Sequence, residues 1–165
     1  MNEKKKNKKI KIAWLSFTGC GGDSCVVFME ILNKKWAVWK NLIELRYFSL
    51  IKKKRLMRNI DIAFIEGAIS NMEEELLLKK VRKVSKIVIA VGSCAISGAP
   101  SNHRNFFDEK TKEEISHILK KFKYREKVSS VLDIIKVDAS VPGCPMDEKI
   151  FIETFEKYIK DLIGD

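Results

Sequence analysis

At 165 residues, 45% of them hydrophobic, the chain can bury one real core and is too short for two ordinary domains. Its longest apolar stretches, such as 87–96, fall well below the roughly 20 residues of a membrane-spanning helix, so no direct membrane insertion is expected. The formal charge of +10 raises nucleic acid as a partner, but the lysines spread over polar helix faces and no basic run is interleaved with aromatics, so no nucleic acid is expected.

Residues 1–8, with Lys4, Lys5 and Lys6, read as a basic flexible tail ahead of a single domain spanning 9–165. The tail has no apolar segment or cleavage site of a secretion signal, so a cytoplasmic location is expected. Residues 9–16 then read as a buried strand, the glycine-rich turn Gly19 to Gly22 as its exit, and 24–33 as the following helix. A weaker strand is expected at 42–48, after Trp36 and Trp39, and a basic cluster lies at Lys52 to Arg55.

Strong strands follow at 60–66 and 87–91, with a fifth at 132–137. Between the third and fourth, Asn71 is placed to cap a helix with Glu73, Glu74 and Glu75 in its first turn and Lys79, Lys80, Arg82 and Lys83 towards its end, which suits the helix dipole. Helices are also expected at 111–122 and 147–162. Alternating strands and helices of this kind predict an α/β fold: a flavodoxin-like doubly wound parallel sheet in a single domain, whose ligands sit beyond the carboxyl ends of the strands.

Cys20, Cys94 and Cys144 each follow a predicted strand, so three remote segments would deliver sulfur to one edge of the sheet. Each lies beside glycine: Gly19-Cys20-Gly21-Gly22, Gly92-Ser93-Cys94 and Pro142-Gly143-Cys144-Pro145. Glycine admits a bulky group close to the backbone, and Pro145 suits a first helical turn. Disulfides do not suit a cytoplasmic chain, and zinc usually takes paired knuckles rather than cysteines arriving singly. One buried cysteine can be a small hydrophobe, but three at equivalent strand ends point to an iron–sulfur site, where backbone N–H groups would favour the anionic cluster and its thiolates.

With Ile65-Glu66-Gly67-Ala68-Ile69 and Gly92-Ser93-Cys94-Ala95-Ile96-Ser97-Gly98, these motifs together resemble the family uniting the small subunits of [NiFe] hydrogenases with the 20 kDa cluster subunit of NADH:quinone oxidoreductase. The resemblance runs from about Lys9 to the C-terminus. It implies one proximal [4Fe-4S] cluster, relaying electrons to or from the active site of a large catalytic subunit of nickel–iron type, and a further electron-transfer subunit. On this basis the chain is expected to be the minimal one-cluster form, an oxidoreductase component not active alone. The hydrogenase branch is preferred, because the adjacent cysteines of the quinone-reductase branch are missing. A quinone-reductase-like or membrane hydrogenase complex remains the alternative.

The first motif departs from the family's C-x-x-C, reading Cys20-Gly21-Gly22-Asp23-Ser24-Cys25. The fourth ligand is then Asp23 or Cys25. A carboxylate is harder, whereas Cys25 restores four thiolates and is slightly preferred; Asp23 could equally cap the helix. A further alternative is a flavin-binding module with Ser16-Phe17-Thr18-Gly19 as its phosphate loop. Glu66 is expected to bind a neighbouring backbone N–H, Trp14 to lie in the core, and His103 and Arg104 to occupy a surface loop.

Overall fold

Strands covered on both faces should hold apolar runs, as 12–15, 62–65 and 87–91 do. The computed structural model describes residues 9–48 and 58–164. The basic tail 1–8 and the cluster Lys52 to Arg55 lie outside the described residues. Strand β1 (Ile10–Ser16) leads into helix α1 (Asp23–Trp39) and β2 (Ile43–Phe48). Strand β3 (Ile60–Glu66), the short β4 (Ile69–Asn71), α2 (Met72–Val84) and β5 (Ser85–Val91) follow. After α3 (Gly92–Ser97) and a 3-10 turn (His103–Phe106) come α4 (Glu109–Lys121), β6 (Tyr124–Ser129), β7 (Ala139–Val141) and α5 (Glu148–Ile163).

The five-stranded sheet has the order β2-β1-β3-β5-β7 with every neighbouring pair parallel. Counting only its own strands, this is the flavodoxin-like order of a doubly wound α/β sheet. A small antiparallel pair, β4 with β6, sits beside it.

Alternate residues of each strand feed two cores. Ile12, Trp14, Ile62, Phe64, Ile89 and Val91 pack with Phe28 of α1 and Phe151 and Phe155 of α5. On the opposite face Ala13, Leu15, Ala63, Ile65, Val88 and Ala90 meet Leu78 and Val81 of α2. Trp14 is fully buried and stacks on Phe28 with ring centroids 4.7 Å apart. Among the described residues no helix is long and apolar enough to cross a membrane.

The expectations for β3 and α2 hold: Glu74 donates its backbone N–H to the Asn71 side chain at 2.8 Å. Helix α1 runs past the expected end at residue 33, so Trp39 is buried within it while Trp36 stays exposed. The expected fifth strand at 132–137 is a turn instead. Ser130 donates its N–H to Asp133, Ile134 and Ile135 donate theirs to the Val131 carbonyl, and their side chains join the α2-side core from that turn. The true fifth strand, β7, begins two residues later.

Two carboxylates stitch strands together at the sheet's other end. Asp61 of β3 accepts from the Lys11 backbone and pairs with Lys86; Asp138 accepts from the Val88 backbone and from Arg82. Burial pushes both carboxyls up, but these hydrogen bonds and the neighbouring cations outweigh it and hold both below the usual carboxylate value. Their stabilisation is therefore present above about pH 4 and fades as the pH falls through the lowered folded-state values. Asp138→Asn is expected to be less stable than the wild type at neutral pH and to converge on it in acid. Unfolding midpoints across the acid range check this, and a constant gap between the two proteins would refute it.

Candidate metal centre

Order 2-1-3-4-5 splits the connections to opposite faces around β1 and β3, and the crevice this opens lies at the strands' carboxyl ends. There the loop after β1, the end of β3, the start of α3 and the loop after β7 surround a narrow cleft of about 30 Å³. Cys20, Asp23, Cys94 and Cys144 all line it. Cys20, Asp23 and Cys144 are exposed and Cys94 is half-buried.

Cys25 is not part of this lining. It is 2% exposed and packs in the α1-side apolar core with Trp14 and Phe28. Successive helical residues turn by about 100°, so residue 25 points about 200° away from residue 23 once the helix begins at Asp23. Burial, with the charge of Glu66 adding to it, pushes the Cys25 thiol up to about 11, which disfavours the thiolate a metal needs. Of the two candidates for the fourth ligand, Asp23 lies in the cleft with the cysteines and the slightly preferred Cys25 does not. Nor is Asp23 the helix cap, because that position falls to Gly22, in a left-handed conformation with no side-chain bond.

The loops are tied to one another by polar groups beside each donor. Glu66 accepts from the Ser24 N–H (3.1 Å), the Ser16 hydroxyl (2.8 Å) and Trp14 Nε1 (3.3 Å), as its expected structural role requires. Ser24 Oγ in turn accepts from the Met146 N–H at 3.1 Å, and the Gly143 carbonyl accepts from the Ser93 N–H at 2.9 Å. Thr18 and Ala68 exchange backbone bonds of 3.0 and 2.7 Å, holding the Cys20 loop on the end of β3. Cys94 Sγ lies 3.3 Å from Ser101 Oγ. Sequence reasoning passed over Ser24, Ser93 and Ser101; the available signal was a small hydroxyl residue next to or near each ligand.

Close approach dictates two glycines. A Cβ on Gly143 (φ +114) would stand 2.5 Å from the Pro145 carbonyl oxygen, and one on Gly67 (φ +90) would stand 2.8 Å from the Phe17 carbonyl carbon. Pro145 lies ahead of α5 rather than in its first turn; the cap is Asp147, whose side chain accepts from the Ile150 N–H.

The flavin alternative fares poorly on charge. In the would-be phosphate loop the Ser16 hydroxyl donates to Glu66 and the Thr18 hydroxyl to Glu74, so two carboxylates occupy the place where a phosphate would need cations or N–H groups. Arg104 is a strap away from the cleft, donating to the carbonyls of Ser70 and Arg125.

Among the described residues, no three of His, Cys, Asp and Glu gather tightly enough to hold a single metal ion.

Residues 20–158 match the family model described as the NADH ubiquinone oxidoreductase 20 kDa subunit. The chain is 29% identical over 159 residues to a subunit of the F420-non-reducing hydrogenase vhu of Methanocaldococcus jannaschii, covering 87% of this chain and 54% of that protein. It is 28% identical over 173 residues to the NAD-reducing hydrogenase HoxS subunit delta of Cupriavidus necator, covering 94% and 79%. The chain thus spans little more than half the length of some of these relatives. A crystal structure of an NAD+-reducing [NiFe]-hydrogenase in the H2-reduced state contains a chain of the same fold, with a TM-score of 0.79 at 24% identity over 93% of both chains.

Proposed function

From the premise that this chain belongs to the NADH ubiquinone oxidoreductase 20 kDa subunit family, we propose that it is the electron-transfer small subunit of a [NiFe]-hydrogenase-type oxidoreductase and holds one proximal [4Fe-4S] cluster. The observation that carries the reading is the arrival of Cys20, Cys94 and Cys144, with Asp23, at one cleft from three distant segments. Three soft thiol donors suit iron–sulfur chemistry. A structural zinc usually takes its cysteines as paired knuckles, whereas these arrive singly from separate loops. Glycine supports the fit, since a Cβ on Gly21 would meet nothing within 4 Å and leaves open space beside Cys20.

When bound, the cluster supplies one-electron transfer. The chain's own residues fix the donors. Glu66 and Ser24 anchor the Cys20–Asp23 turn, and Ser93 joins the Cys94 and Cys144 loops. The exposed rim at Cys20 and Cys144 is where we place a large catalytic subunit of nickel–iron type, with a further electron-transfer subunit beyond it. On this reading the chain works in the cytoplasm and turns over no substrate alone. The description of the matched family favours a second reading, a cluster subunit of a quinone-reductase-like complex; recovery with membrane-embedded rather than soluble partners would distinguish it.

Protein purified and reconstituted without air is expected to be brown, with about four irons and four sulfides per chain and a paramagnetic signal on reduction. Colourless protein lacking iron and sulfide under those conditions would sink the proposal.

A further inference from the structure

We infer that Asp23 makes one corner of the cluster exchangeable, so that the site releases and recaptures a single iron while keeping the rest of the group. This rests on the cluster reading above and goes beyond it. The donor set is unequal: three cysteines and two carboxylates line the cleft, but Glu66 is committed to Ser24, Ser16 and Trp14, which leaves Asp23, and the remaining thiol, Cys25, lies 2% exposed in the core. Asp23 is exposed, opens α1, and among the described residues its carboxylate makes no hydrogen bond or ion pair. Nothing structural thus competes with a metal for that side chain.

Carboxylate oxygen is a harder, weaker partner for cluster iron than thiolate, so the iron at Asp23 is the one most readily lost as Fe2+. Removal by a one-electron oxidant balances: a [4Fe-4S]2+ core gives one electron to ferricyanide, forming ferrocyanide, and separates into a [3Fe-4S]+ core and one Fe2+, with no sulfide oxidised. A ferrous chelator takes the released ion. Reduction by one electron in the presence of Fe2+ reverses the step.

The experiment treats the anaerobically reconstituted full chain with one equivalent of ferricyanide and EDTA, desalts it, and measures iron, sulfide and the low-temperature electron paramagnetic resonance spectrum. Added 57Fe is then followed by Mössbauer spectroscopy. Wild-type protein is expected to lose about one iron in four, keep its sulfide, show an oxidised three-iron signal, and take 57Fe back at one site only. Asp23→Cys is expected to keep all its iron under the same treatment, and Cys25→Ala to behave as wild type. The inference is overturned if wild-type protein keeps all four irons, if Asp23→Cys loses iron equally, or if Cys25→Ala cannot hold the cluster. Wild-type chain that binds neither iron nor sulfide at the outset overturns the cluster reading itself, a result distinct from those three.

Discussion

Cys94→Ala is expected to fold normally and yet retain almost no iron or sulfide. Cys94 is the third residue of α3, a helical position where alanine is well tolerated, and the hydrogen-bond partner of its sulfur is the Ser101 hydroxyl. Losing that sulfur removes one of three thiol donors and leaves the backbone undisturbed. Iron after anaerobic reconstitution should fall from about four per chain to below about one, while far-ultraviolet circular dichroism stays unchanged. The matching control is Cys25→Ala, which should keep its iron and instead lose about 1 kcal/mol of stability, on the scale of a small deletion in a packed core. Equal iron loss in both variants would contradict the site as drawn.

The second large effect concerns the backbone. Gly143→Ala is expected to destabilise the fold by about 2–5 kcal/mol, combining left-handed strain with an overlap that must push neighbours aside. Its Cβ would lie 2.5 Å from the Pro145 oxygen and 2.9 Å from the Asp147 nitrogen, both backbone atoms with little room to yield. The Gly143 carbonyl also receives the Ser93 N–H, so displacing it loosens the tie between the Cys94 and Cys144 loops, and iron retention should fall as well. Gly21→Ala separates the two causes. Its φ of +100 carries strain, but nothing lies within 4 Å of the added carbon, so its cost should stay near 1–2 kcal/mol, about that of a left-handed residue. Denaturant midpoints measure both, and equal losses would show that crowding at Gly143 is not the cause.

Much of the scaffold was legible because burial on both faces leaves a plain mark. The all-apolar neighbours of Asp61 in β3 and the β-branched run in β5 read as strands from composition alone. The fifth strand was misplaced for a physical reason. Ile134 and Ile135 are apolar because they plug the core from a turn, whereas Ala139–Val141 is too short to display any period. Strands β4 and β6 escaped notice for a similar cause: one has three residues, and the other, rich in charge, lies at the edge of its own small pair.

At the site, the cysteine loops were readable because each lies against glycine at a strand end. Where Asp23 and Cys25 lie depends instead on where α1 begins. Counting thiols favoured Cys25; counting degrees around a helix that starts at Asp23 puts that thiol in the core. The carboxylate anchor Glu66 announced itself as an acid closing the apolar run 62–65, but its partner Ser24 carried no such mark.

The donors of this cleft come from loops near the start, middle and end of the chain, drawn together only by the finished sheet. On the proposed reading that arrangement sets an order of events. The chain offers no complete grip until the Cys144 loop has been made and β7 has docked on β5, so loading of a cluster would follow closure of the sheet. Delivery machinery for such a chain would need to recognise a folded surface rather than a linear peptide.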